Sequence, residues 1–284
     1  MSEMPEGAAR YLDHGFVKLL DVFGSDQDIE AAARVSYSGG DPNRKVSDTR
    51  NLLRYLMRHE HTSPFEMAEV KFILRVPIFV MRQLVRHRTA SLNEYSGRYS
   101  VMTEDCYVPE LDRIQKQSTD NKQGSGELFS ENDREDIRAQ IFNVQGSAVK
   151  HYNDLIKTGF AKELARGVLP VSNYTELYWK CDLNNFFRFL RLRLDAHAQW
   201  EIRELATLMY EAAKPAFPIS FEAFEDYMIG GQKFSHQEMH YIETLVEWLK
   251  TDKILTRAFI NSINDDQHLS TRERDELLKK LKLV

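Results

Sequence analysis

Arg75, Arg82, Arg86, Arg88 and Arg98 all fall within RVPIFVMRQLVRHRTASLNEYSGR, a stretch with no lysine and a single acid, Glu94. Lysine would serve solubility equally well, so arginine alone beside an apolar run points to planar, bidentate recognition of an anion, with phosphate the first choice. One such arginine ordinarily caps carbonyls or pairs with a surface acid. Five around one loop exceed that need.

The elements that must position them follow from periodicity. AEVKFILR (68–75) alternates Val70, Phe72 and Leu74 against Lys71, Ile73 and Arg75, which predicts a strand. Pro77 has the φ favoured at a first helical position, so a helix is expected from Pro77 to about His87. Gln83, Arg86 and His87 then share a polar edge, while Ile78, Val80, Met81, Leu84 and Val85 face the core. The following TASLNEYSGRYS reads as a loop in which Gly97 permits unusual backbone angles. Its backbone N–H groups, with Ser91, Ser96 and Arg98, can surround a phosphate or a pyrimidine edge.

Two more stretches carry candidate chemistry. In HTSPFE, Ser63 is placed to cap a helix, Pro64 to open it and Glu66 to close a capping box; such a terminus also suits a phosphate. Alone, His61 reads as a loop histidine and Ser63 as a plain cap. Arg188, Arg191 and Arg193 crowd one helical segment, ordinarily a solvated face, and Arg166 sits in a short helix before it. No serine has a base oriented by a third group, and Cys106 and Cys181 lack an activating environment or metal-ligand spacing. A G-x-G-x-x-G turn and a P-loop are likewise missing from the sequence. Any catalysis here must rest on electrostatics or a cofactor.

Arg86-His87-Arg88, seven residues, then Ser96 resembles the RHR-x7-S signature of the flavin-dependent thymidylate synthases, the ThyX family. HTSPFE and the LRLR…HAQWEI string are similar to further motifs of that family, and the resemblance runs from about Tyr11 to Tyr227. It implies an α+β fold, a mixed or antiparallel sheet flanked by helices, and an enzyme that makes dTMP from dUMP. Methylenetetrahydrofolate would donate the carbon, and FAD recharged by NADPH the hydride. Carried over residue by residue, the resemblance implies dUMP contacts at Gln83, Leu84, Val85, Arg86, Glu94, Tyr95, Ser96, Gly97, Arg98, Arg166 and Arg193, with Arg193 also catalytic. FAD contacts are implied at His61, Ser63, Arg86, His87, Arg88, Glu94, Asp182, Leu183, Asn184 and Arg188. Asp182 departs from relatives that carry asparagine or arginine near it, and an acid there suits a pyrophosphate only if it serves as a helix cap. No metal is implied, and the expected assembly is a homotetramer with shared sites. Two readings from other classes stay open: a nucleotide-binding module without turnover, and a single-stranded nucleic-acid binder that stacks bases on Tyr95 and Tyr99.

The 284 residues carry 38 basic and 43 acidic side chains, 38 − 43 = −5, which argues against general affinity for nucleic acid or membrane. Two distant cysteines fit a reducing compartment, no apolar run approaches the ~20 residues of a membrane helix, and the expectation is a cytoplasmic protein. Elsewhere, the order expected is a strand over 15–23, a helix from Ser25 to near Ser36, a turn-rich link (SGGDPNRK), and a helix opened by Ser47 or Asp48. Residues 100–109 read as extended, 111–131 as a polar loop or insertion, and 130–158 as a core helix; Tyr-rich 169–181 reads as a strand, after which Asp182 caps a helix. A catalytic domain is placed at 1–230, and a charged helical extension at 231–284 with helices at 235–250 and 270–283.

Overall fold

The computed structural model describes residues 3–35, 48–119 and 124–283. The link SGGDPNRK, Ser36, Ser47 and the centre of the polar insertion lie outside the described residues. The chain divides into two compact units, Met1–Ile229 and Gly230–Val284.

The first unit is α+β. Its sheet runs in the order β1 (Ala9–Tyr11), β2 (Gly15–Phe23), β3 (Glu69–Pro77), β7 (Tyr174–Asp182), β4 (Ser91–Glu94), with every pair antiparallel. The alternation read from the sequence holds in β3: Val70, Phe72, Leu74 and Val76 are buried while Lys71 is exposed. In register with them on β7 stand Cys181, Trp179, Leu177 and Thr175, so one face of the strand pair is wholly interior.

Helices cover that face. Between β2 and β3 come α1 (Asp26–Arg34) and α2 (Thr49–Arg58); after β3 comes α3 (Ile78–Leu84). Beyond β4 a small hairpin, β5 (Gln115–Gln117) with β6 (Ser125–Leu128), precedes α4 (Glu131–Lys157) and the single turn α5 (Lys162–Ala165). After β7 come α6 (Leu183–Arg193), α7 (Trp200–Ala213) and α8 (Pro218–Phe224), the last running into a π-helical turn over Glu225–Ile229. An aromatic cluster ties α6 to the sheet and to α8. Phe186 lies 5.7 Å from Phe72, Phe189 5.6 Å from Trp179, and Phe187 stacks on Phe224 at 4.6 Å. Each such ring contributes roughly 1.5–3 kcal/mol by burial.

Several expectations change. Ser25 and Asp48 cap α1 and α2 as expected, but HTSPFE forms a 3-10 turn over Ser63–Met67 with no side-chain cap, so the capping box is not made. Thr62 holds the cap position and Ser63 is already the first residue of the turn, so Ser63 cannot cap, and Glu66 accepts from Asn184 Nδ2 at 3.4 Å instead. The helix expected to reach His87 stops at Leu84, with Pro77 at its cap position and Val85 41% exposed rather than in the core. Part of the expected loop is the edge strand β4. The polar 111–131 region contains the hairpin, and α4 buries only Gln145, Val149 and Tyr152 in this chain, leaving Phe142 and Val144 largely exposed.

In the second unit, α9 (His236–Thr251) and α11 (Thr271–Lys280) open with full capping boxes at Ser235 and Ser270, and α10 (Lys253–Asn264), not foreseen, lies between them. Ile263 and Leu278 are its buried apolar residues.

The start of α8 depends on one carboxylate. Asp26, 3% exposed, accepts from Ile219 N at 2.8 Å, Ser220 N at 3.0 Å and Ser220 Oγ at 2.6 Å. Asp26→Ala orphans three donors beside buried Phe221 and should lower stability by about 3 kcal/mol, read as a reduced urea midpoint with unchanged slope. A loss below about 0.5 kcal/mol would show that the contact carries no stability.

Candidate functional site

β3 passes directly into α3 at Pro77, whose φ of −60° and ψ of 145° turn the chain; the first free N–H groups of α3, at Ile78 and Phe79, donate to Asn173 and Val171 carbonyls. At the other end Arg86 N and His87 N bond back to Gln83 and Leu84 carbonyls, so Arg86, His87 and Arg88 emerge just past the helix C-terminus. Cations are favoured there. From α6 comes Arg193, whose Nε donates to His87 Nε2 at 3.0 Å and whose Nη2 reaches the Gln83 carbonyl at 3.4 Å. The His87 ring meets Phe189 edge-on at 5.0 Å.

The electrostatics of this corner are one-sided. Burial, then the Arg193 charge, pulls His87 down from 6.5 to about 4, so its imidazole is neutral at physiological pH with Nε2 as acceptor. Burial, then Arg86, lowers the pKa of Arg193 as well. The nearby carboxylates are engaged elsewhere: Asp195 with His197 at 2.9 Å, Glu201 with Tyr107 and Gln199. Arg193 therefore has neither of the surface partners a helix-end arginine usually finds. Gln83 donates its amide to Gln199, a residue to which the sequence alone assigns no role.

A second group gathers at the start of α6. Asp182 caps the helix with both oxygens turned to Asn185, at 2.8 Å to its N–H and 2.7 Å to its Nδ2. Next to it Leu183 donates its N–H to the Ala68 carbonyl and has a buried side chain, as does Leu84 of α3, which leaves neither side chain exposed to a ligand. Asn184, mostly buried, reaches Glu66, and Phe187 meets Phe65, which brings the HTSPFE segment against α6. His61 is exposed beside Tyr55, Ser63 opens the 3-10 turn, and Arg188 points outward with no acidic partner among the described residues. Arg86 and Arg88 are likewise exposed without one.

The third group is the loop after β4. Glu94 accepts from Thr175 Oγ1 at 2.8 Å, Tyr95 donates its hydroxyl to the Val101 carbonyl at 2.9 Å, and Arg98 N donates to Ser96 Oγ at 3.4 Å. Gly97 is buried, and a Cβ there would lie 3.1 Å from Arg166 Cδ, so Arg166 is packed on the loop. Arg98 pairs with Glu163 at 3.5 Å and Arg166 Nε donates to the Glu163 carbonyl at 3.3 Å. The sequence alone assigns Glu163 no role, although its spacing of three from Arg166 is a legible signal. No hydrogen bond or ion pair links the three groups among the described residues. A cleft of about 470 Å³ lies away from them along α4, lined by Cys106, Gln145, Val149 and Lys150. No cluster of metal-ligating side chains occurs among the described residues.

The antiparallel sheet flanked by helices, with an arginine-edged, carboxylate-poor corner, defines the chain as an α+β protein, and comparison gives its family. Residues 18–219 match the family described as "Thymidylate synthase complementing protein", and the chain belongs to that family. Relatives named flavin-dependent thymidylate synthase include one from Thermus thermophilus, 48% identical over 83% of this chain and 84% of its own. One from Wolbachia pipientis wMel is 44% identical over 84% and 83%, and one from Rickettsia bellii 38% identical over 96% and 93%. Among solved structures, a UMP/dUMP methylase PolB from Streptomyces cacaoi bound with 5-Br dUMP aligns with a TM-score of 0.70 and 36% identity, covering 77% of this chain and 97% of that one.

The lowered histidine has a measurable consequence. Between 6.5 and about 4 the unfolded chain takes up a proton at residue 87 that the folded chain refuses, so the neutral imidazole's contribution to stability is full above 6.5 and declines as the pH falls toward 4. The His87 ring resonances should show no inflection above about pH 5, and His87→Gln should flatten the stability profile in that window. A His87 titration near 6.5 would contradict the assigned Arg193 hydrogen bond.

Proposed function

We propose that the protein is a flavin-dependent thymidylate synthase. It converts dUMP to dTMP, taking the methylene from methylenetetrahydrofolate and the hydride from FAD recharged by NADPH, and releasing tetrahydrofolate. Family membership and the names of the relatives support this reading, as does the likeness to a structure bound with a dUMP analogue. The observation that carries it is Arg193, a partly buried guanidinium held by a neutral histidine where a carboxylate would normally stand.

The residues fit a flavin dinucleotide. Arg86, Arg88 and Arg188 offer bidentate donors uncommitted to acids, and Asp182 spends both oxygens on the α6 cap rather than facing a pyrophosphate. His61, Ser63, Asn184 and the Leu183 backbone would border it, with His87 and Glu94. Bound there, FAD supplies the hydride. For dUMP, the Ser96–Arg98 backbone, Arg166 and Arg98 would take the phosphate, while Gln83, Arg86, Arg193 and the chain at Leu84, Val85, Glu94 and Tyr95 would border the base and sugar.

Attack by uracil C5 on a one-carbon donor needs electron density at C5. Both cysteines are buried with raised pKa, Cys181 chiefly by burial and Cys106 likewise, so neither is poised to add to C6. Arg193 would instead stabilise negative charge developing on the N3–C4–O4 side of the ring. Its Nε is committed to His87 and Nη2 to Gln83, which fixes the plane of the guanidinium and leaves Nη1 uncommitted among the described residues. With its pKa pulled down to about 4, His87 is neutral at physiological pH and adds no competing cation.

The site groups of one subunit lie on separate segments, and α4 exposes Phe142 at 64% and Val144 at 70%; both facts support a homotetramer in which sites are shared between subunits. A cytoplasmic location suits nucleotide biosynthesis, and no helix among the described residues is long and apolar enough to cross a membrane. The catalytic domain is taken as 1–230 and the extension as 231–284. The nucleic-acid alternative lacks support: Tyr95 has its hydroxyl bonded within the loop, leaving Tyr99 as the exposed ring.

The purified protein should be yellow and release FAD on denaturation; no flavin in the extract, with no uptake of added FAD, would remove the reading. Arg193→Ala should keep the fold and the flavin yet lose ~10²-fold or more in turnover, the scale of one preorganised charge stabiliser. The assay is dUMP-dependent oxidation of pre-reduced flavin with methylenetetrahydrofolate, and a near-parental rate of dTMP formation would reject Arg193.

A further inference from the structure

Apart from the main core, the first unit holds a second, small core of Met102, Tyr152 and Ala165, flanked by Tyr95, Leu155, Ile156 and Leu169. Nothing in the dUMP reading assigns work to it. Yet its members touch that site's phosphate loop from below. Tyr152, 1% exposed near the end of α4, accepts the Met102 N–H on its hydroxyl at 3.0 Å. The Met102 side chain lies directly under Gly97: a Cβ built on Gly97 would stand 2.8 Å from Met102 Sδ and 3.1 Å from Met102 Cγ, against 3.1 Å from Arg166 Cδ. Gly97 is thus pressed between Met102 and Arg166, with no room for a side chain.

This contact sets the spacing between the two halves of the phosphate site. The Ser96–Arg98 backbone rests on Met102, and Arg166 follows Ala165, a fully buried member of the same small core. The hydroxyl of Tyr152 fixes the height of Met102 and hence of Gly97, while Ala165 fixes the root of Arg166. Ahead of the loop, Glu94 accepts from Thr175 Oγ1 at 2.8 Å and Tyr95 N donates to the Glu176 carbonyl at 2.8 Å, but at its rim the restraints are exposed and weak, as with Lys162 Nζ to the Tyr99 carbonyl at 3.1 Å and the Arg98–Glu163 pair at 3.5 Å. Beneath Gly97 itself, the buried hydrogen bond is Tyr152–Met102.

We propose that Tyr152 is a positioning residue for the nucleotide phosphate, acting through Met102 and Gly97 to hold the Ser96–Arg98 loop at bonding distance from the anion that Arg166 also grips. The inference rests on the proposed dUMP site, and its effect is confined to binding. Among the described residues no hydrogen bond or ring contact joins Tyr152 to Arg193 or His87, so the chemical step and the flavin are expected to be unaffected.

Tyr152→Phe keeps the ring that fills the small core and removes only the hydroxyl. Expected are a KM for dUMP raised about tenfold, with kcat at saturating dUMP and bound flavin within twofold of the parent. Direct titration with dUMP should weaken in parallel, while affinity for deoxyuridine, which lacks the phosphate, stays unchanged. Met102→Ala, which removes the support under Gly97 and leaves the Tyr152 hydroxyl in place, should show the same selective loss and serves if Tyr152→Phe does not fold. A parental KM in both variants, or an equal loss for dUMP and deoxyuridine, overturns the proposal. Arg98→Lys and Arg166→Lys form the control: if neither weakens dUMP, the phosphate site itself is misplaced; if both do and the Tyr152 and Met102 variants do not, only the positioning role fails.

Discussion

The antiparallel pairing of β3 with β7 is the constraint on which the site depends. Each strand runs straight into a helix, and since the strands oppose one another, Pro77 pairs with Tyr174 at one end and Glu69 with Asp182 at the other. α3 and α6 therefore start at opposite ends of the strand pair. To meet the end of α3, α6 has to run back across the sheet, about 16 Å for its eleven residues. Phe186 on Phe72 and Phe189 on Trp179 fix its rotation as it does so, which delivers Arg193 to His87 rather than to solvent. Aromatic packing, not the arginine's own bonds, sets where the guanidinium stands.

That placement is costly. Arg193 is partly desolvated, sees Arg86 as a like charge, and has for its best partner a neutral imidazole, a bond to a charged donor worth roughly 1.5–3 kcal/mol. A carboxylate would stabilise it further, and Asp195 and Glu201 are near enough in sequence to have been recruited, but each is bonded elsewhere. A fold that holds a cation without its counterion keeps that electrostatic energy for an anionic ligand, or for charge that appears during a reaction. The same logic applies at α6, where the one acid among the proposed flavin contacts of that helix is consumed by its cap.

Much of this was legible in the sequence, and the failures have physical causes. Alternation identified β3 because one of its faces is entirely buried, and Ser25, Asp48 and Asp182 were recognisable helix starts because Ser and Asp at those spacings bond locally. β4 was missed: Ser91–Glu94 has no alternation or β-branched content, and it is a strand only because β7 offers it an edge. The same local reasoning overextended α3 to His87, since apolar periodicity continues through Val85 although the side chain is exposed. In α4 the periodicity is real and its burial is not supplied by this chain, which is why a helix read as core leaves Phe142 and Val144 outside. As for the site, the residue types and their spacing were visible. The Arg193–His87 bond spans 106 positions and Gln83–Gln199 spans 116, and contacts at that separation leave no trace in a single sequence.

The two cores divide the labour of the site. The corner of Arg193 and His87 is anchored in the large aromatic core, where displacement of α6 would cost many contacts at once, and charge stabilisation demands such rigidity because its benefit depends on dipoles that do not reorganise. The Ser96–Arg98 loop instead leans on three buried residues, with ties at its rim that are solvent-exposed. Regions with few buried contacts open at lower free energy than the core. In the proposed reaction, a loop that admits a nucleotide and releases a product is better built on the small core than on the large one, whereas the group proposed to act on the base gains from the reverse. The separation of Met102 and Tyr152 from the Phe72–Trp179–Phe186 cluster is what permits both in one chain.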